Sequence, residues 1–196
     1  MNNFVKTMLV SLISNKIIGY AESMGMSKTV AQSVVTFAVP LIMSQLANNV
    51  SEKDGLGSLV EALGQHGSEV EQEADQIDSQ DGLNILKHIF GGGQNKLTET
   101  IAKGSGAQHD QVTDLLGKIA PLIMGQLSKQ KQDHGLDQSG IQELLGQAQK
   151  EVEQESEGAT SKLLGGLLDK DGDGDFDSSD ALKHGMGLLQ GWLGKK

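Results

Sequence analysis

Cysteine is absent from the 196 residues, which excludes disulfides, thiolate zinc sites, iron–sulfur clusters and a cysteine nucleophile. Arginine is absent as well, because all 16 basic residues are lysine. No planar guanidinium is therefore available to grip phosphate, carboxylate or a guanine edge. The 16 lysines face 26 Asp and Glu, a net charge of −10, and such a surface repels nucleic acid and anionic bilayers. Aromatic residues make up 3% of the chain, too few for a base-stacking platform. Long apolar runs are missing too. The longest window, residues 34–43, contains Thr36 and Pro40 and is shorter than the roughly 20 residues of a spanning helix. The first twenty residues carry neither a sustained apolar core nor a small-x-small cleavage pattern. A cytoplasmic protein with no transmembrane segment and no nucleic-acid partner is expected.

What the chain does have is periodicity. Val112, Leu115, Leu116, Ile119, Leu122, Ile123 and Leu127 recur at the i, i+3, i+4, i+7 spacing of one helix face. Ala31, Val34, Val35, Ala38, Leu41, Ile42 and Leu46 do the same 81 positions earlier. Within these stretches Pro40-Leu41-Ile42-Met43-Ser44-Gln45-Leu46 matches Pro121-Leu122-Ile123-Met124-Gly125-Gln126-Leu127 with one difference, the mark of an internal repeat. The match extends with small slips to Gly25 and Gly106, to Asn15-Lys16 and Asn95-Lys96, and to Leu63-Gly64-Gln65 and Leu145-Gly146-Gln147. Pro40 and Pro121 are the only prolines. Each falls inside a helical pattern, where a ring without an N–H costs about 3 kcal/mol, so a fixed kink or a break is expected in both copies.

Residues 69–78 are acidic and lack a full apolar stripe, which reads as a solvated helix or linker. Period-two alternation is absent over any useful length, so almost no sheet is expected. The predicted fold is all-α: a first helical repeat unit over residues 1–68, an acidic linker over 69–80, a second repeat unit over 81–157, and a distinct C-terminal module over 158–196.

One motif carries chemistry. Asp169, Asp171, Asp173, Asp175, Asp177 and Asp180 fall at positions 1, 3, 5, 7, 9 and 12 of a twelve-residue loop with Gly174 at position 6, the spacing of a calcium loop. Carboxylates at positions 1, 3 and 5 face one side of a tight turn. Asp175 offers its backbone carbonyl, Asp177 reaches the ion directly or through water, and Asp180 closes the shell. Six carboxylates so close repel by about 1 kcal/mol per near pair even at water's dielectric, a cost that a divalent cation removes. Ca²⁺ is the expected ion and Mg²⁺ the competitor. Asp180 stands where a longer Glu is usual, which predicts weak affinity, on the order of 10⁻⁵ to 10⁻³ M.

Other patterns fail. Gly91-Gly92-Gly93 lacks the spacing of a phosphate-binding loop and reads as helix punctuation. His66, His88, His109, His134 and His184 are scattered, with no pair at i, i+4 and no HExxH. No GxSxG occurs, and catalysis has no visible carrier. The seven methionines, Met43 and Met124 among them, read as core packing. Residues 181–193, with Trp192, form an amphipathic face that closes the C-terminal module or docks a partner.

The loop and its apolar flanks resemble an EF-hand over residues 159–193, and Asp180-Ala181-Leu182-Lys183 is similar to the loop exit of dockerin modules. Dockerins carry two such loops and this chain carries one, so cohesin binding is not carried over. Residues 83–92 (LNILKHIFGG), the apolar helix over 115–127 with Pro121, and the trailing Asp-rich loop together resemble the YidB-like family of bacterial proteins of unknown function. That resemblance implies a small all-helical fold and no established enzyme activity. The expected function is a non-enzymatic calcium-binding helical protein whose ion orders the C-terminal module. The alternatives are a helical interaction or self-association scaffold with incidental metal and, behind it, a metal-assisted hydrolase.

Overall fold

The computed structural model describes residues 10–51 and 55–154. All of them lie within one compact unit. They are helical, with no strand among them: α1 (Ser11–Ser23), α2 (Lys28–Val50), α3 (Gly55–Gln65), α4 (Ser79–Phe90), α5 (Gln94–Ser105), α6 (His109–Asp133) and α7 (Gln138–Gln154).

Local chemistry places several of the ends. The Ser27 hydroxyl accepts the Val30 N–H at 3.3 Å to open α2, and the Asp78 carboxylate accepts the Gln80 N–H at 2.8 Å to open α4. Asp137 does the same for α7 through the Gly140 N–H at 2.9 Å. Gly106 closes α5 at φ +74° and Gly25 follows α1 at φ +81°, left-handed positions that cost a glycine little. The glycine run over residues 91–93 is one 3-10 turn between α4 and α5, as the punctuation reading expects.

α6 is the axis of the fold. Every residue from 115 to 128 is buried, because α1, α2, α3, α4, α5 and the turn over residues 69–71 all pack on it. The break expected at the prolines does not occur: α2 runs through Pro40 and α6 through Pro121 without interruption. Leu122 and Ile123, beside Pro121, are fully buried. Each such side chain contributes about 1.5–3 kcal/mol, enough to offset the proline. The carbonyl that loses its partner to Pro121 is that of Gly117, and α4 covers it. A Cβ on Gly82 would overlap the Gly117 carbonyl and come within 2.8 Å of Pro121 Cδ, and one on Gly117 would lie 2.6 Å from the Ser79 carbonyl oxygen. The two helices meet backbone to backbone at this crossing.

The acidic stretch is not a free linker. It forms two 3-10 turns, Glu69–Glu71 and Ala74–Gln76, and its few apolar residues, Val70, Ala74 and Ile77, are all buried. Two lysines fasten it: Lys16 Nζ donates to the Gln72 carbonyl and Lys118 Nζ to the Ile77 carbonyl, each at 2.7 Å. Glu71, Glu73, Asp75 and Asp78 are exposed while the backbone is strapped down.

α2 also revises the reading of apolar length. The helix spans 23 residues and is long and apolar enough, by length and composition, to cross a membrane, whereas the sequence window looked too short. Ser44 and Gln45 sit within the helix without ending it. A well-buried core helix passes the same test, and α2 packs against α1, α3, α4, α5, α6 and α7.

Candidate functional site

A recess of about 790 Å³ lies between α3 and α4. Both helices rest on α6 and hardly touch each other, so their facing sides stand apart. α4 contributes Asp81, Asn84, Ile85, His88 and Ile89, an unbroken i, i+3, i+4, i+7, i+8 face. α3 contributes Ser58, Leu59, Glu61, Ala62 and Gln65 along its length, followed by His66. The end of α2 closes one side with Leu46, Asn49 and Val50, and Met124 of α6 also lines the recess. The Asn49 amide ties that end to α4, donating to the Ile89 carbonyl at 2.8 Å, while Gln45 donates to the Asn49 side-chain oxygen at 2.9 Å.

The recess is acidic at its polar edge. His66 Nδ1 lies 3.1 Å from Glu69 Oε1 and 3.6 Å from Asp81 Oδ2, so one imidazole bridges the strap and α4. The other Glu69 oxygen is buried without a hydrogen-bond partner among the described residues. Among the described residues Glu61 and Asp81 line the recess, with His66 and His88. This cluster escaped the sequence reading. His66 and Glu69 stand at i, i+3, a visible spacing, but Asp81 reaches them only because the strap folds back. His88, one of the histidines read as scattered, is exposed and lines the recess.

A second polar cluster is structural. The Tyr20 hydroxyl donates to Asp114 Oδ2 at 2.7 Å and the Ser79 hydroxyl to Asp114 Oδ1 at 2.9 Å. Burial, the hydrogen bond and negative charge of Asp114, and the charge of Asp75 together push the Tyr20 phenol up to about 12. Lys118 Nζ sits 4.8 Å from the centroid of the Tyr20 ring, within cation–π range. The buried lysine thus rests between an aromatic face and the Ile77 carbonyl. Through these hydrogen bonds Tyr20, Ser79 and Asp114 join α1, α4 and α6. Both oxygens of the carboxylate are engaged by hydroxyl donors.

Among the described residues no group of three or more His, Cys, Asp or Glu side chains is arranged to hold a metal ion. The expected calcium ligands Asp169, Asp171, Asp173, Asp175, Asp177 and Asp180 lie outside the described residues, as does the whole 158–196 module.

The described part is an all-α body wrapped around one buried proline-containing helix, with an acidic-edged recess. The chain belongs to a family of bacterial proteins of unknown function, DUF937, which matches residues 7–130. This agrees with the unknown-function bacterial family that the sequence resembles. The match takes in the strap, both proline helices and the recess, and it ends before α7 and before the Asp-rich loop. No curated protein matches the chain. No solved structure does either.

Proposed function

We propose that the protein is a non-enzymatic calcium-binding helical protein, built from a helical body of two related units and a C-terminal EF-hand-like module that Ca²⁺ orders. The observation that carries the proposal is the spacing of Asp169, Asp171, Asp173, Asp175, Asp177 and Asp180 around Gly174. That spacing presents hard oxygen ligands to one ion and leaves little of the carboxylate repulsion uncompensated once the ion is bound. A fully liganded ion has no open position for substrate, which favours a structural or sensing role over metal-assisted hydrolysis. Within the body, the carboxylate of Asp114 is spent on holding helices together.

The two-unit reading is supported by the order of elements. α1, α2 and α3 begin at residues 11, 28 and 55, and α5, α6 and α7 begin at 94, 109 and 138, close to the 81-residue offset of the sequence match. Gly25 and Gly106, matched in sequence, both take positive φ.

Thermal melts in Ca²⁺, Mg²⁺ and chelator test the calcium reading. At a hundredfold excess over Kd, Ca²⁺ stabilises the module that binds it by about 2.7 kcal/mol. The Asp169→Ala, Asp173→Ala double variant loses that increment. A parent protein whose melting and calorimetric titration are blind to millimolar Ca²⁺ refutes the proposal. A second reading, a helical interaction protein with incidental metal, is favoured by the recess between α3 and α4.

A further inference from the structure

We propose that His66 is a pH-sensitive latch for the strap over residues 69–78: protonated, it holds the start of the strap to α4, and neutral, it lets the strap loosen. The inference stands apart from the calcium reading.

Three fastenings hold the strap. Lys16 and Lys118 grip the Gln72 and Ile77 carbonyls, and His66 grips the first residue, with Nδ1 3.1 Å from Glu69 Oε1. Only the last uses an imidazole, the side chain that ordinarily changes charge between about pH 5 and 8. The backbone around it is closely placed. A Cβ on Gly125 of α6 would lie 3.0 Å from the His66 carbonyl oxygen and 3.1 Å from the Val70 nitrogen, which pins the chain on both sides of Glu69. The side chains of His66 and Glu69 are only 13% and 15% exposed. One Glu69 oxygen is buried with no hydrogen-bond partner among the described residues.

Two carboxylates meet the imidazole, Glu69 from the strap and Asp81, at 3.6 Å, from α4. Among the described residues that line the recess, Glu61 of α3 and His88 of α4 also titrate. From α6 the approaching residue is Gly125, which carries no charge. A neutral imidazole has a single N–H and leaves a half-buried pair of like charges poorly compensated. An imidazolium donates to one carboxylate and sets a positive charge beside both. The closed strap therefore binds the proton better than the loosened one. Its hold is complete on the acid side of the imidazole titration and is lost as pH rises through it.

Hydrogen exchange on the full chain reads the latch. The Glu71, Gln72 and Gln76 N–H groups donate to the Ser68, Glu69 and Glu73 carbonyls, so their exchange reports opening of the strap. Their protection, corrected for the intrinsic rate at each pH, is expected to fall by about threefold or more between about pH 5.5 and 8. His66→Gln keeps a donor for Glu69 but takes no charge, and should make the protection flat over that range. Asp81→Asn, which removes one of the two carboxylates, should reduce the dependence. His88→Gln, at an exposed place on α4, should keep it as in the parent. Circular dichroism establishes that each variant is folded, and the amides of α6 serve as the reference. Flat strap protection in the parent refutes the proposal. A dependence that survives His66→Gln puts the proton on Glu69 and overturns it, and a fall shared equally by α6 is a change of the whole body and does the same.

Discussion

α2 and α6 share a seven-residue stretch that differs at one position, and both pack in the core, yet α6 is buried on more of its faces. α2 is the more apolar helix, passing by length and composition for a membrane span, and it keeps Gln32 and Thr36 exposed. α6 carries lysine, glutamine and serine in its middle and is buried over fourteen consecutive residues, 115–128. Apolar content therefore did not choose the central helix. The choice rests on what the neighbours can approach and satisfy. Gly117 admits α4 against the backbone of α6, and the strap presents the Ile77 carbonyl to Lys118. Asp114 receives hydroxyl donors from Tyr20 and Ser79. Eighty-one positions earlier the same places hold exposed Thr36, Phe37, and Ser33, whose hydroxyl only bonds back to the Thr29 carbonyl of its own helix.

Exchanging residues between the two helices should break this asymmetry, and the largest effect is expected at the crossing. Gly117→Thr, which gives α6 the residue of α2, puts a branched side chain where the Ser79 backbone lies and should cost about 3 kcal/mol in urea denaturation. Thr36→Gly, the reverse change on an exposed face, should cost less than about 1 kcal/mol. Equal costs would mean that the close approach of α4 and α6 does not set the packing.

The next effect depends on pH. Tyr20 is the only tyrosine, and its phenol is held up to about 12, above the ordinary 10, by burial and by Asp114. A raised pKa in the folded state means that its contribution to stability is complete below pH 10 and is lost as pH rises through about 12. Ultraviolet titration of the single phenolate should show the raised midpoint, and Tyr20→Phe should remove that part of the alkaline loss. An unshifted phenolate midpoint would show that Asp114 is held by Ser79 alone.

The smallest effect concerns the helix starts. Ser27 caps α2 with its hydroxyl, while the matched residue Gln108 opens α6 with no side-chain hydrogen bond. Ser27→Ala should cost about 1 kcal/mol, Gln108→Ala close to nothing, and Gln108→Ser should gain a few tenths of a kcal/mol. These three melts compare the two starts on one scale.

The parts of the fold legible in sequence are those set by neighbours along the chain. The apolar spacing of α2 and α6, the glycine run that ends α4, and glycines at Gly25 and Gly106 all act within a turn or two. Of the kink or break expected at the prolines, the break does not occur, because the cost of the ring was weighed alone. In the folded protein the surrounding burial is larger, and Gly82 covers the carbonyl that Pro121 leaves unbonded. The acidic strap misled in the opposite direction: three apolar residues among carboxylates form no stripe, yet Val70, Ala74 and Ile77 all find the core. The recess was not legible at all, since Glu61, His66, Asp81 and Met124 converge from four segments with no shared spacing.

The order and type of helices, the acidic surface and the twelve-residue aspartate spacing belong to the chain by itself, because each depends on residues a few positions apart. Which helix lies at the centre, where its lysine and aspartate find partners, and the gap left between α3 and α4 were decided only by tertiary packing. Those outcomes turn on how closely two backbones can approach, and that distance is set by residues far apart in sequence, as Gly82 and Gly117 show.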